Sequence, residues 1–145
     1  MLDILFLTQS DTTAGFLSKN KNRIIESKNK AKNVNLLREV DSIIELKKHS
    51  RIPYILGRKI RRMKKTTFIF ESRKSFRVVH DPMHNKFLSR FKSLYSSSAN
   101  LHKERFNYNI AYNLANVVVI DKRGIYESSP SNIFKVRKIY IKKMR

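Results

Sequence analysis

Apolar residues fall in short runs divided by polar stretches, a pattern of strands alternating with short helices rather than of long amphipathic helices. Leu2 to Leu7 reads as a buried strand, and the polar, small-residue stretch Gln9 to Gly15 after it is built like a ligand loop. Asn20 to Lys28 suits a short helix with Ile24 and Ile25 inward, and Val34 to Val40 a second strand. Asp41 is placed to cap a helix over Ser42 to His49, its carboxylate accepting free amide hydrogens of the first turn. Pro53 starts another helix that runs into the basic segment Arg58 to Lys65.

Thr66 to Glu71 and Ser75 to Val79 are β-branched and aromatic, and the residues between them are hairpin-sized. Asp81-Pro82 marks a helix start, with Phe87, Leu88 and Phe91 on one face. A strand through Leu94 and Tyr95, a helix over Tyr108 to Asn116, a strand over Val117 to Asp121 and one or two strands within Ile133 to Ile141 complete the pattern. The expectation is one α/β domain over residues 1–145 built on a mixed sheet, the commonest domain size, with no internal repeat or low-complexity linker.

Charge sharpens the picture: 32 Lys plus Arg stand against 11 Asp plus Glu, a formal +21 spread over both halves. A polyanion is the natural partner, because fixed positive charges displace the counterions condensed on a phosphate backbone. The alternative is a lysine-rich surface without a specific partner. With no cysteine there is no disulfide, thiolate nucleophile or thiolate metal site, which fits a cytoplasmic protein. The apolar start carries Asp3 and no basic leader, and the longest apolar runs fall far short of the roughly 20 residues that span a bilayer, so neither a signal peptide nor a membrane partner is expected.

Several chemistries find no support. Of His49, His80, His84 and His102, only His80 and His84 have a metal-like spacing; Asp81-Pro82 interrupts the helical turn between them, so all four are expected at the surface and no metal site is assigned. No Gly-x-Ser-x-Gly elbow surrounds a serine, and Gly15, Gly57 and Gly124 are too far apart for a phosphate-cradling loop. Nor is a catalytic nucleophile or general base evident. What stands out is three hydroxyl-rich turns, each expected to follow a strand: Ser10-Asp11-Thr12, Ser96 to Asn100, and Ser129 to Asn132. Singly such turns are helix caps or tight turns; together with basic segments they suit phosphate or carboxylate binding.

The order of these turns resembles the YrdC family, which includes the threonylcarbamoyl-AMP synthases. Its opening Pro-Thr-Asp-Thr-Val-Tyr-Gly-Leu loop is matched by Gln9 to Phe16, and its Lys-Gly-Arg-Pro turn by Lys28-Asn29-Lys30-Ala31 leading to Asn35-Leu36-Leu37. Met63 to Thr67 stands for its Pro-Gly-Pro-Val-Thr turn and Arg77-Val78-Val79 for its Arg-x-Pro strand end. The most specific piece is Ser-Thr-Ser-Ala-Asn-Leu, present as Ser96 to Leu101, and Pro130 to Phe134 resembles Pro-Ser-Thr-Val-Val. The resemblance implies a YrdC-like twisted mixed sheet with flanking short helices and an open concave site. It further implies synthesis of threonylcarbamoyl-AMP from ATP with its Mg, L-threonine and bicarbonate, with no permanently bound cofactor, for threonylcarbamoyladenosine in tRNA.

By residue match, the ATP-binding set is Lys28, Lys30, Ser98 and Asn100, and the threonine-binding set is Thr12, Arg77, Ser97 and Ser131. Contact with tRNA or double-stranded RNA is expected through the phosphates, at Arg58, Lys59, Arg61, Arg62, Lys64 and Lys65, and tRNA-modification proteins are possible partners. The chain departs from the family pattern at Ala14 for tyrosine, Lys30 for arginine, and Ala31 and Asn35 for turn prolines. Val34 and Glu39 also stand where polar residues and histidine are usual, and an inward Glu39 would set a negative charge beside anionic substrates. The family's last basic residue has Lys142, Lys143 or Arg145 to fill its role. Two rival readings are a non-catalytic RNA-binding protein of this shape and a ribosome-associated basic protein.

Overall fold

A computed structural model describes residues 3–29 and 34–145. Its elements in chain order are β1 (Phe6–Gln9), β2 (Ala14–Ser18), α1 (Lys21–Ser27), β3 (Leu37–Val40), α2 (Ile43–His49), a 3-10 turn (Tyr54–Leu56), α3 (Gly57–Arg62), β4 (Thr66–Ile69) and β5 (Ser75–Val78). Then come α4 (Pro82–Leu88), β6 (Ser93–Ser98), α5 (Tyr108–Leu114), β7 (Val117–Val119), β8 (Asn132–Val136) and β9 (Ile141–Lys143). Among the described residues the strands form one twisted mixed sheet in the order β7-β1-β2-β6-β3-β5-β4-β8-β9. The β1/β7, β3/β5 and β4/β8 pairs are parallel and the rest antiparallel.

Side chains alternate across a strand, and here the two faces have different fates. On one face, Leu5, Leu7, Ala14 and Phe16 pack with Ile24 and Ile25 of α1 and Ala111 of α5. Farther along that face, Val40, Phe68, Phe76, Val78 and Val136 pack with Leu46 of α2, Leu56 and Ile60. Among the described residues the opposite face is covered only at one end, where Phe6, Leu17, Val79 and Leu94 meet Leu88 of α4. Beyond α4 the same face presents Leu37, Thr67, Ile69, Ser75, Arg77, Ser96 and Ile133, and there it lies open.

The sequence expectations hold in outline and fail in instructive places. β2 falls inside and after the stretch read as a ligand loop, which is confined to Ser10–Thr13. The first strand starts at Phe6, four residues later than expected, while Leu5 is nonetheless fully buried. Ser42, not Asp41, caps α2, accepting from Glu45 N at 3.2 Å, and Asp41 instead accepts the Ser42 hydroxyl at 2.8 Å. Asp81 caps α4 as expected, accepting from His84 N at 2.9 Å. Ser96 to Ser98 lies within β6 and Ser129 to Ser131 precedes β8, so neither turn follows a strand as anticipated.

The expectation that all histidines lie at the surface is overturned at His84. The first turn of α4 points it into the protein, where it is 1% exposed against Glu39. Among the described residues no group of three His, Asp or Glu is arranged to hold a metal ion, and no helix is long and apolar enough to cross a membrane.

Candidate functional site

The open part of the sheet forms the floor of a cavity of about 320 Å³. Three segments remote in sequence build its walls: Ser10, Thr12, Thr13 and Gly15 from the β1–β2 corner, Ser96, Ser97 and Ser98 from β6, and Pro130 and Ser131 before β8. Their convergence follows from strand pairing. β2 lies beside β6, so Gly15 sits opposite Ser98, and β8 lies beside β4, so Ser131 comes within 2.8 Å of the Thr67 hydroxyl. Arg145 reaches back from beyond β9, its Nε and Nη2 donating to the Ser131 carbonyl at 3.1 and 2.9 Å.

Beside the open floor, where α4 meets the same sheet face, is a buried ionic cluster. Glu39 and Arg77 are direct neighbours on the parallel strands β3 and β5, and Arg77 Nη2 donates to Glu39 Oε1 at 2.5 Å. Glu39 also accepts from the Ser96 hydroxyl at 2.8 Å and pairs through its other oxygen with His84 Nε2. Burial alone would raise the Glu39 pKa, but the charges of His84 and Arg77 and the hydrogen bonds from His84 and Ser96 hold it down to about 2. An ionised carboxylate only accepts, so His84 Nε2 carries the proton in that pair.

On its other side Arg77 Nε lies 3.0 Å from Asp11 Oδ1. That contact is ionic rather than a directed hydrogen bond: both Asp11 oxygens are buried without a hydrogen-bond partner among the described residues. Burial accordingly pushes the Asp11 carboxyl above its ordinary value, against the pull of Arg77. Arg77 therefore lines the cavity with its charge balanced by two carboxylates.

The cavity gathers Thr12, Arg77, Ser97, Ser98 and Ser131 from the sequence-predicted set. Lys28 stands behind the serine wall, 3% exposed, its ammonium bonded to the Ser98 carbonyl at 2.5 Å, the Ser97 hydroxyl at 3.1 Å and Asn100 Oδ1 at 3.3 Å. Asn100 also accepts from the Ser98 hydroxyl at 2.5 Å and donates to the Glu104 carbonyl at 2.6 Å. Lys30, assigned to the same nucleotide, lies outside the described residues. Arg58, Lys59, Arg61, Arg62, Lys64 and Lys65 are all exposed, none of them lines the cavity, and they form no salt bridge among the described residues.

Sequence reasoning missed Arg123. Its guanidinium donates to Gln9 O at 3.0 Å, Ser10 O at 3.2 Å and Asp81 Oδ1 at 3.1 Å, and to both oxygens of Asp121 at 2.9 and 2.5 Å. It thereby fixes the β1–β2 corner against the start of α4. No local motif announces such a residue; only the Asp121-Lys122-Arg123-Gly124 turn hints that an arginine is being aimed. What the cavity can do chemically is orient: nine hydroxyl-bearing residues, a strand-end backbone and two guanidinium groups line the place where a polar, oxygen-rich ligand would lie.

No family model matches the sequence, and no curated protein matches it. Solved structures do. Sua5 of P. abyssi in complex with L-threonine superposes over 99% of this chain and 50% of its own, with TM-score 0.80 at 15% identity. YciO of E. coli superposes over 99% of this chain and 82% of its own, with TM-score 0.75 at 16% identity. MTH1692 of Methanobacterium thermoautotrophicum gives TM-score 0.72 at 15% identity, covering 99% of this chain and 80% of its own. The chain thus spans about half the length of Sua5, 52% of a double-alanine variant of it and 50% of the threonine complex. At such identities a likeness speaks to architecture: this chain has the YrdC-like fold common to Sua5, YciO and MTH1692.

Proposed function

We propose that the chain is a threonylcarbamoyl-AMP synthase-like protein of tRNA modification, whose cavity takes L-threonine and the nucleotide of ATP-Mg. The observation that carries this reading is the convergence of Thr12, Ser97, Ser98 and Ser131 around one hollow from three distant segments. Sua5, which shares the fold, is known in complex with L-threonine. A volume of about 320 Å³ is at the small end of ligand pockets, roughly 300–1,000 Å³, so threonine and part of a nucleotide fill it.

In this reading Ser98 and Asn100 hold the nucleotide, with Lys28 bracing their turn, while Thr12, Ser131 and Arg77 line the threonine end. The threonine amine adds to bicarbonate with loss of water. One oxygen of the resulting carbamate attacks the α-phosphate of ATP, and pyrophosphate leaves. The protein's task is orientation and charge neutralisation, which needs no side-chain nucleophile.

The test is a thermal shift of the full chain with ATP-Mg, with and without threonine, alongside pyrophosphate release in bicarbonate. Ligand at about 100 times its Kd stabilises by about 2.7 kcal/mol, or roughly 5–11 °C for a chain of this size. Stabilisation by both ligands together with threonine-dependent pyrophosphate release is the expected result; no shift with either ligand removes the proposal. One observation favours a second reading, a YrdC-like RNA-binding protein without synthesis: the Arg77 charge is already matched by Glu39 and Asp11. RNA affinity without pyrophosphate release would select it.

A further inference from the structure

A second cleft, of about 560 Å³, lies at the end of the sheet where β4 turns into β5 and β8 into β9. It shares no lining residue with the hydroxyl-rich cavity. Its walls include Arg51, Tyr54, Phe70, Glu71, Arg137 and Lys138, three cations against one carboxylate. Tyr54 is 98% exposed at the rim. A large aromatic side chain left almost wholly in water beside concentrated positive charge has the composition of a surface that receives a stacked base and its phosphates.

The chain leading away from the cleft continues the pattern. Leu56 and Ile60, four residues apart, are both turned into the core. Tyr54 and Arg58, offset from them by two residues and also four apart, consequently share the outward side, and Arg61 and Arg62 follow one helical turn later. Arg58, Arg61 and Arg62 are exposed and form no salt bridge among the described residues. Aromatic ring, cationic cleft and arginine strip thus lie along one route on a protein of net charge +21.

We infer that this cleft binds an unpaired nucleotide of RNA, with the base on Tyr54, its phosphates on Arg51, Arg137 and Lys138, and the adjoining backbone along Arg58, Arg61 and Arg62. The base must be unpaired because a duplex buries both faces of its bases in the stack, leaving none for the tyrosine. The inference extends the RNA part of the proposed function and is independent of synthesis, since the two sites are separate.

The experiment uses the full chain and fluorescence anisotropy with a labelled 12-nucleotide oligouridylate and an RNA duplex of equal length, each over a range of salt. Tyr54→Ala should weaken oligouridylate binding about tenfold or more while leaving duplex binding and the salt slope unchanged, and Tyr54→Phe should retain affinity. Arg137→Gln with Lys138→Gln should flatten the oligouridylate salt dependence by about 1.4 log units, about 0.7 per lost phosphate contact. The side chain of Tyr54 is in solvent, so Tyr54→Ala folds, and pyrophosphate release, where present, should be unaffected. Equal affinity of Tyr54→Ala and the parent for oligouridylate overturns the inference, as does an equal loss for duplex and single strand. Displacement of oligouridylate by polyglutamate of the same charge as efficiently as by unlabelled RNA also overturns it and points to an acidic polypeptide.

Discussion

Arg77→Met tests whether this arginine is first a structural or a ligand-binding residue. In the folded protein it is 4% exposed and lies between two carboxylates, with Nη2 2.5 Å from Glu39 and Nε 3.0 Å from Asp11. Methionine keeps much of the apolar stem and removes the charge, leaving Glu39 with His84 and the Ser96 hydroxyl and depriving Asp11 of its ion-pair partner. Removing one partner of a buried ion pair costs about 3–5 kcal/mol, a large part of the roughly 5–15 kcal/mol that holds a domain folded. For 145 residues the melting temperature should fall by roughly 6–20 °C. Urea titration is the assay, with an unchanged m-value as the check that the two end states are comparable.

The pH dependence gives a second, sharper reading of the same variant. Without the guanidinium, the folded-state pKa values of both Asp11 and Glu39 rise. A carboxyl whose folded pKa is raised is not penalised at pH below its unfolded value, and stability is lost as pH rises through the folded one. The deficit of Arg77→Met against the parent should therefore be larger at pH 7 than at pH 5. A deficit within about 0.5 kcal/mol, the range of ordinary surface changes, or one that grows on acidification, would refute the account of a balanced buried cluster.

In the parent protein Glu39 behaves oppositely. Its folded pKa is held down to about 2, so its contribution is complete above the unfolded value of 4.5 and is lost as pH falls toward 2; acid titration of Glu39→Gln should lack that part of the slope. Arg123→Ala removes the donor that ties Gln9, Ser10, Asp81 and Asp121 together and should cost about 1.5–3 kcal/mol. It should also speed hydrogen exchange at the Thr12 and Ala14 amides of the β1–β2 corner. Arg58→Gln, Arg61→Gln and Arg62→Gln combined should weaken RNA binding across sequences and flatten its salt dependence by about 0.7–0.9 log unit per lost contact, read by anisotropy.

Local signals in the sequence carried the fold a long way, and their failures share one cause. Asp81-Pro82 marked α4 correctly because a cap and a first-turn proline act within one helical turn. The β4–β5 hairpin was equally legible from its β-branched residues. β2 was missed because Ala14, Gly15 and Ser18 look like loop residues; they are strand because Phe16 is buried against α1 and the backbone pairs with both β1 and β6. With Asp41 and Ser42 adjacent, either residue type can cap, and only the backbone decides which one does.

The candidate site shows the same division. The serine-rich segments could be picked out because several hydroxyls sit together in sequence, although their relation to the strands could not. The partners of Arg77 could not be read at all, since Asp11 and Glu39 meet it through strand pairing and chain packing across as many as 66 residues. His84 looked like a surface residue because the carboxylate that draws it inward lies 45 positions earlier. Arg123 reaches 113 positions back to Ser10, with the same result.

The sheet order also governs how the chain reaches this shape. β1 receives its parallel neighbour only from Val117 onward, and β4 receives its own only from Asn132 onward. Until those late segments arrive, each early strand has one side of unpaired amides and carbonyls, and joining them demands closure of long loops before any contact repays the lost entropy. Acquisition of the native sheet is consequently a slow, non-local event for this protein, and a growing polypeptide remains open to wrong pairings during most of its synthesis.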